Sequence, residues 1–255
     1  MISYTLLVKI LLMPLLIAGV TLVVRRWGAG IGGWVGGFPW VAGPISFFMA
    51  LEQGGQFVAD SSPAALMGSV GTVLFAFLYT WLAARQWHWL PTVLVSYGAF
   101  FVVAFLTLWL HPPLLPAFLI NLAALTPALY FFPKPRNIPA LNKQPSYDIP
   151  LRMAVATMFV VGVTQAADLL GPSWSGILTP FPIMTSTLAV FTHAQQGSDA
   201  TTRILFGLLL AGYGFTVFLY GVAWLAPSWS LGAAYGTLVA ATFAVNGLTR
   251  RLIRR

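Results

Sequence analysis

Cysteine is absent from this 255-residue chain, which excludes disulfides, thiol nucleophiles and Cys-ligated metal. Charge is scarce as well. Asp, Glu, Lys and Arg together make up 7% of the residues, and only five of these are acidic, whereas soluble domains run near 25% charged. The sequence also lacks a zinc-binding His-Glu-x-x-His, a pair of catalytic aspartates and a serine–histidine arrangement of catalytic spacing. No catalytic residues are therefore expected, and the chain does not read as an enzyme. His88, His111 and His193 lie near the ends of different apolar runs, so a shared metal site is not expected, nor is a cofactor.

What the chain has instead is apolar length. Hydrophobic residues make up 58% of the chain, and mean hydropathy is +0.84, a balance that no water-facing surface tolerates. The solvent is lipid, where every backbone donor and acceptor must be paired internally. The runs are long and do not alternate, which favours helices over a barrel of strands. Nine of them approach the roughly 20 residues needed to cross hydrocarbon: 4–24, 30–51, 63–84, 90–110, 114–132, 151–170, 175–194, 204–225 and 228–249. The first has its arginines after the apolar stretch and no small-residue cleavage site, so it reads as a retained helix and not a signal peptide.

The net charge of +8 would suggest a nucleic-acid partner if the basic residues shared a face. They sit at the ends of runs, where they act as topology determinants and headgroup contacts, so nucleic acid is not expected. With Arg25 and Arg26 cytoplasmic, alternation puts twelve of the thirteen basic residues on that side and leaves only Lys9 outside. The expected orientation is N-terminus outside and C-terminus cytoplasmic, in a bacterial inner membrane.

A shift of 143 positions superimposes Gly19-Val20-Thr21 on Gly162-Val163-Thr164, Lys9 on Arg152, Gly28 on Gly171, Phe38-Pro39 on Phe181-Pro182, and Gln53-Gly54 on Gln196-Gly197. With small deletions, Phe77-Leu78-Tyr79 meets Phe218-Leu219-Tyr220, and Tyr97-Gly98 meets Tyr235-Gly236. The expected fold is thus an all-α integral membrane protein of about nine transmembrane helices. Residues 1–110 form a first four-helix repeat, 111–149 a linking helix and cytoplasmic loop, and 150–255 a second repeat inverted by the extra crossing. Inverted repeats characterise secondary transporters with a site near the midplane.

The segment Ser175-Gly176-Ile177-Leu178-Thr179-Pro180-Phe181-Pro182, followed by Thr185, His193 and Gln196-Gly197, resembles the central motif of the small four-helix GlpM family and of related DUF3147-type membrane proteins. Gly36-Gly37-Phe38-Pro39 with Glu52, Gln53 and Gly54 looks like the same motif in the first repeat, preceded by Val8-Lys9. The resemblance implies a duplicated, fused form of a four-helix inner-membrane unit. It covers both repeats but not the linking helix, and the acid at Glu52 becomes Gln195 in the second copy.

Pro39 and Pro182 lie inside apolar runs, where a proline removes a donor and clashes with the carbonyl a turn earlier. The two Phe-Pro positions are expected to break or kink their helices and to cross near the midplane. Phe38, Pro39, Ser46, Phe181, Pro182, Thr185, Ser186 and Thr187 are the candidates for lining a path; the alternative is that the prolines only bend packed helices. Lys9, Glu52, Gln53, Arg152, Asp168, His193, Gln195 and Gln196 are the candidate charged or polar gates, with Lys9 expected near Glu52 and Arg152 near Gln195. The leading functional reading is a small transporter or permease of unknown substrate. The alternative is a non-transporting scaffold or accessory subunit of a lipid or envelope polysaccharide system. Expected partners are membrane lipids, a small molecule or ion, and a second copy of the chain or a membrane partner protein.

Overall fold

The computed structural model describes residues 4–133 and 148–253. Among these residues the regular structure is entirely helical. In chain order the helices are α1 (Tyr4–Gly36), α2 (Ala42–Gln53), α3 (Gly55–Ala83), α4 (Trp89–Leu110), α5 (Leu114–Tyr130), α6 (Asp148–Gln165), α7 (Ala167–Leu178), α8 (Ile183–Gln196), α9 (Ser198–Leu210), α10 (Gly212–Leu225) and α11 (Leu231–Ile253). Four helical stretches are long and apolar enough to cross a membrane: Gly55–Ala83, Trp89–Leu110, Ser198–Leu225 and Leu231–Thr249. A fifth is added if Leu169–Leu178 and Ile183–Gln196, bent by 43°, form one broken span. Most of the expected cytoplasmic loop between α5 and α6 lies outside the described residues.

Local chemistry explains where these helices stop. His88 caps α4 by accepting from Leu90 N at 3.4 Å, and Pro112 and Pro113 follow the C-capping residue His111, which lies just past the helix at φ 44°. The links α2 to α3 and α8 to α9 are each a single glycine. Gly54 (φ 92°, ψ 162°) and Gly197 (φ 84°, ψ −178°) occupy a backbone region essentially closed to side chains. Helices α3 and α9 consequently begin at Gly55 and Ser198, earlier than the apolar runs suggest.

One boundary differs more sharply. A turn is expected between the first two apolar runs, around residues 25–29, but α1 continues unbroken through them to Gly36. The corresponding place in the second half does break, at Gly171 (φ 67°, ψ 175°). Gly171 is followed by Pro172, which keeps the preceding residue out of helical geometry, whereas Gly28 is followed by Ala29.

Helix α3 forms the middle of the bundle, burying Leu66, Phe75, Ala76, Tyr79 and Ala83. It packs against α4, α5, α7 and α10, while α9 packs along α1 and α10 along α11. Helix α5 ties the middle together through Asn121, whose Nδ2 donates to Leu66 O at 2.8 Å and whose Oδ1 accepts from Thr216 at 2.7 Å. The outer helices turn large apolar side chains outward, among them Leu94, Val102, Phe105 and Trp109 of α4, as lipid contact requires.

Candidate functional site

The site is built from two interruptions of the backbone. The first spans residues 37–41 between α1 and α2, the second residues 179–182 between α7 and α8. Both contain Phe-Pro, and both fold the same way. Phe38 N donates to Val35 O at 3.2 Å and Phe181 N to Leu178 O at 3.0 Å. Trp40 N donates to Phe38 O, and Ile183 N to Phe181 O, each at 2.7 Å; Gly43 N donates to Pro39 O, and Ser186 N to Pro182 O, again at 2.7 Å. Every partner in the second set is 143 positions beyond its counterpart in the first.

Between the breaks lies a cavity of about 80 Å³. Gly36, Gly37, Phe38, Val41, Ala42, Ser69 and Thr72 line it, and so do Thr179, Pro180, Phe181, Met184, Thr185, Gly212 and Phe215, each 143 positions further on. Its polar groups are hydroxyls, and no ionisable side chain lines it. Thr72 turns its hydroxyl onto Pro180 O at 2.6 Å, so α3 supports the second break directly.

Close packing builds the walls of this partly open volume. A Cβ on Gly33 would collide with Ile204 O, and a Cβ on Gly176 with Ser61 O; these two contacts are also related by 143 positions. A Cβ on Gly37 would lie 2.5 Å from Leu208 O, and one on Gly68 2.6 Å from Ile177 O. Such backbone-to-backbone approach is what small residues permit between membrane helices.

The helix after each break is tied to another helix through a tyrosine. Ser46 Oγ of α2 meets Tyr235 Oη of α11 at 2.6 Å, and Tyr97 Oη of α4 donates to Ser186 Oγ of α8 at 2.7 Å. The Tyr97 ring also stacks on Phe181, with centroids 5.5 Å apart and planes within 12°.

The residues singled out from sequence therefore separate into groups. Phe38, Phe181 and Thr185 line the cavity. Pro39 lines a second, apolar cavity of about 280 Å³ between α1, α2, α10 and α11, which Phe38 also borders. Pro182 accepts the first-turn N–H of Ser186, and Thr187 turns back onto Ile183 O at 2.7 Å. Ser46 and Ser186 serve the tyrosine ties. Glu52, Gln53, Gln195 and Gln196 lie at the far ends of α2 and α8, about 15 Å along α2 and about 20 Å along α8 from the breaks at 1.5 Å per residue. His193, in the last turn of α8, meets Tyr79 Oη at 3.3 Å through Nδ1. The side chains of Lys9, Arg152 and Asp168, and with them the expected pairings of Lys9 with Glu52 and Arg152 with Gln195, lie outside the described residues.

Sequence reasoning missed Ser69, Thr72 and Thr179. The signal for the first two was present in Gly68-Ser69-Val70-Gly71-Thr72, a small and polar cluster halfway along α3.

Fold and site together define an α-helical, membrane-embedded protein with paired helix breaks. The chain matches no protein-family model, no curated protein and no solved structure.

Proposed function

We propose that the chain is a small permease whose path crosses the membrane between two inverted four-helix halves, through the cavity at the two Phe-Pro breaks. The observation that carries this reading is the lining of that cavity, to which both halves contribute the same seven positions. The equivalent hydrogen bonds in the breaks and the reciprocal contacts of Gly33 and Gly176 support the two-fold arrangement. In this reading α5 inverts the second half relative to the first, and the membrane is a bacterial inner membrane. The resemblance to the GlpM family belongs to the same proposal, as a fused duplicate of its four-helix unit. Discontinuous helices at the midplane are the usual way for such a fold to offer backbone groups to a solute.

The absence of cysteine makes the test direct. Cysteine placed singly at Ser69 or Thr185 should react, in proteoliposomes, with a small water-soluble thiol reagent. Cysteine at Leu66, fully buried on α3, should not. Equal inertness at all three positions would remove the path and favour a membrane scaffold or accessory subunit.

A further inference from the structure

We propose that the cavity between the breaks is a binding site for a small inorganic anion, held by hydroxyl and backbone N–H donors; this identifies the solute class for the permease reading and rests on it.

Ser69 and Thr185 are only 6% and 8% exposed, and both line the cavity. Buried hydroxyls in membrane helices ordinarily turn back to a carbonyl three or four residues earlier. In this chain Ser61, Ser62, Thr80, Ser96, Thr107, Thr164 and Thr179 do so. Ser69 and Thr185 do not: neither hydroxyl has a hydrogen-bond partner among the described residues. Neither oxygen is among the fully buried polar atoms without a partner, so both are reached from the cavity they line and are free to donate to whatever fills it.

The backbone decides the sign of the occupant. Each break presents both the end of one helix and the start of the next. Several of the carbonyls there are already engaged: Val35 O accepts from Phe38 N and from Trp40 Nε1, Ser175 O and Gly176 O accept from Thr179 N, Leu178 O accepts from Phe181 N, and Pro180 O accepts from Thr72. The helix starts are open. Neither α2 nor α8 has a side-chain cap at its N-terminus, and the residues at those starts, Val41 and Ala42, Met184 and Thr185, all line the cavity. Two helix N-termini thus converge with two free hydroxyls where no carboxylate lines the wall, opposite two helix C-termini whose dipoles are partly satisfied by those hydrogen bonds. Donors are in surplus, which suits an anion and not a metal cation.

Charge limits the choice further. Measured as space for the centre of a water molecule, about 80 Å³ holds an ion with several waters, since about 10–15 Å³ of such space suffices for one. Halides and nitrate suit a site of neutral donors, whereas sulfate, a dianion far costlier to dehydrate, finds no cationic side chain there to offset that cost.

The test is the thermal stability of the purified full chain in detergent, in sodium chloride, sodium bromide, sodium nitrate or sodium sulfate against sodium gluconate at constant ionic strength. Small monovalent anions should raise Tm in a saturable way, sulfate should not, and exchanging sodium for choline should leave the effect unchanged. Ser69→Ala and Thr185→Val remove hydroxyls without partners, so each should match the parent in gluconate yet weaken anion binding about tenfold. A Tm indifferent to the anion, one that follows the cation, or full anion sensitivity in the double variant would overturn the site. Flux in liposomes separates the two proposals. Anion stabilisation without flux leaves the site standing and removes the permease, whereas flux of neutral solutes with no anion effect does the reverse.

Discussion

The hydroxyls of the membrane core differ according to what lies opposite them. Many close on their own helix, Ser69 and Thr185 face the cavity, Thr72 and Thr216 reach other helices, and Ser46 and Ser186 join helices through Tyr235 and Tyr97. The tyrosines were visible in sequence as a matched Tyr-Gly pair. Their partners, Ser46 and Ser186, were singled out only as path-lining candidates, because they do not correspond by position: 143 residues from Ser46 is Ala189, and 143 residues before Ser186 is Gly43. One helical turn separates the two serine positions, so symmetry of function is kept while symmetry of sequence is lost. A double-mutant cycle of Ser46→Ala with Tyr235→Phe should give a coupling near 0.6 kcal/mol, the scale measured for hydrogen bonds between membrane helices. Reversible unfolding in mixed detergent measures it, and zero coupling would reduce the contact to coincidence of packing.

At the scale of helices, glycine sets the distances. Gly33 and Gly176 each let one backbone rest on the carbonyl of another helix, and an added methyl has nowhere to go without moving main chain. Gly33→Ala and Gly176→Ala should each destabilise by about 1–3 kcal/mol through overpacking, read as a lower midpoint in detergent unfolding. Gly54 and Gly197 act differently. A Cβ there meets nothing within 4 Å, and the cost lies in the left-handed φ alone. Alanine at either position should therefore cost about 1–3 kcal/mol with no loss of packing contacts, and Gly98→Ala, equally open but within a regular helix, should be neutral or slightly stabilising. Apolar run length and proline placement made most helices and both breaks legible in the sequence. The continuity of α1 was not legible, because glycine weakens a helix without ending it. Only the contrast between Gly28-Ala29 and Gly171-Pro172, seen in the backbone, shows why one half turns there and the other does not.

For the molecule as a whole, composition alone pointed to lipid as the solvent, and the periodic match at 143 positions anticipated the paired breaks. It did not anticipate that α3 supplies the polar wall of the cavity. Ser69 corresponds to Gly212 and Thr72 to Phe215, so the polar side of the site is unequal between the halves and leaves no trace in a search for matches. The proposed inversion makes its own prediction: in this cysteine-free chain, single cysteines at Gln53 and Gln196, the last residues of α2 and α8, should be labelled by an impermeant thiol reagent from opposite faces of the membrane, and labelling of both from one face would contradict inverted halves. The measurement closest to the central claim is solute flux into liposomes holding only this protein, compared between the parent chain and Thr185→Phe, which fills the cavity. A panel of inorganic anions, cations, sugars and polyols should show flux of at least one class through the parent, with Thr185→Phe folded but at least tenfold slower. Flux of none of them, or flux undiminished with the cavity filled, would contradict a path between the two breaks.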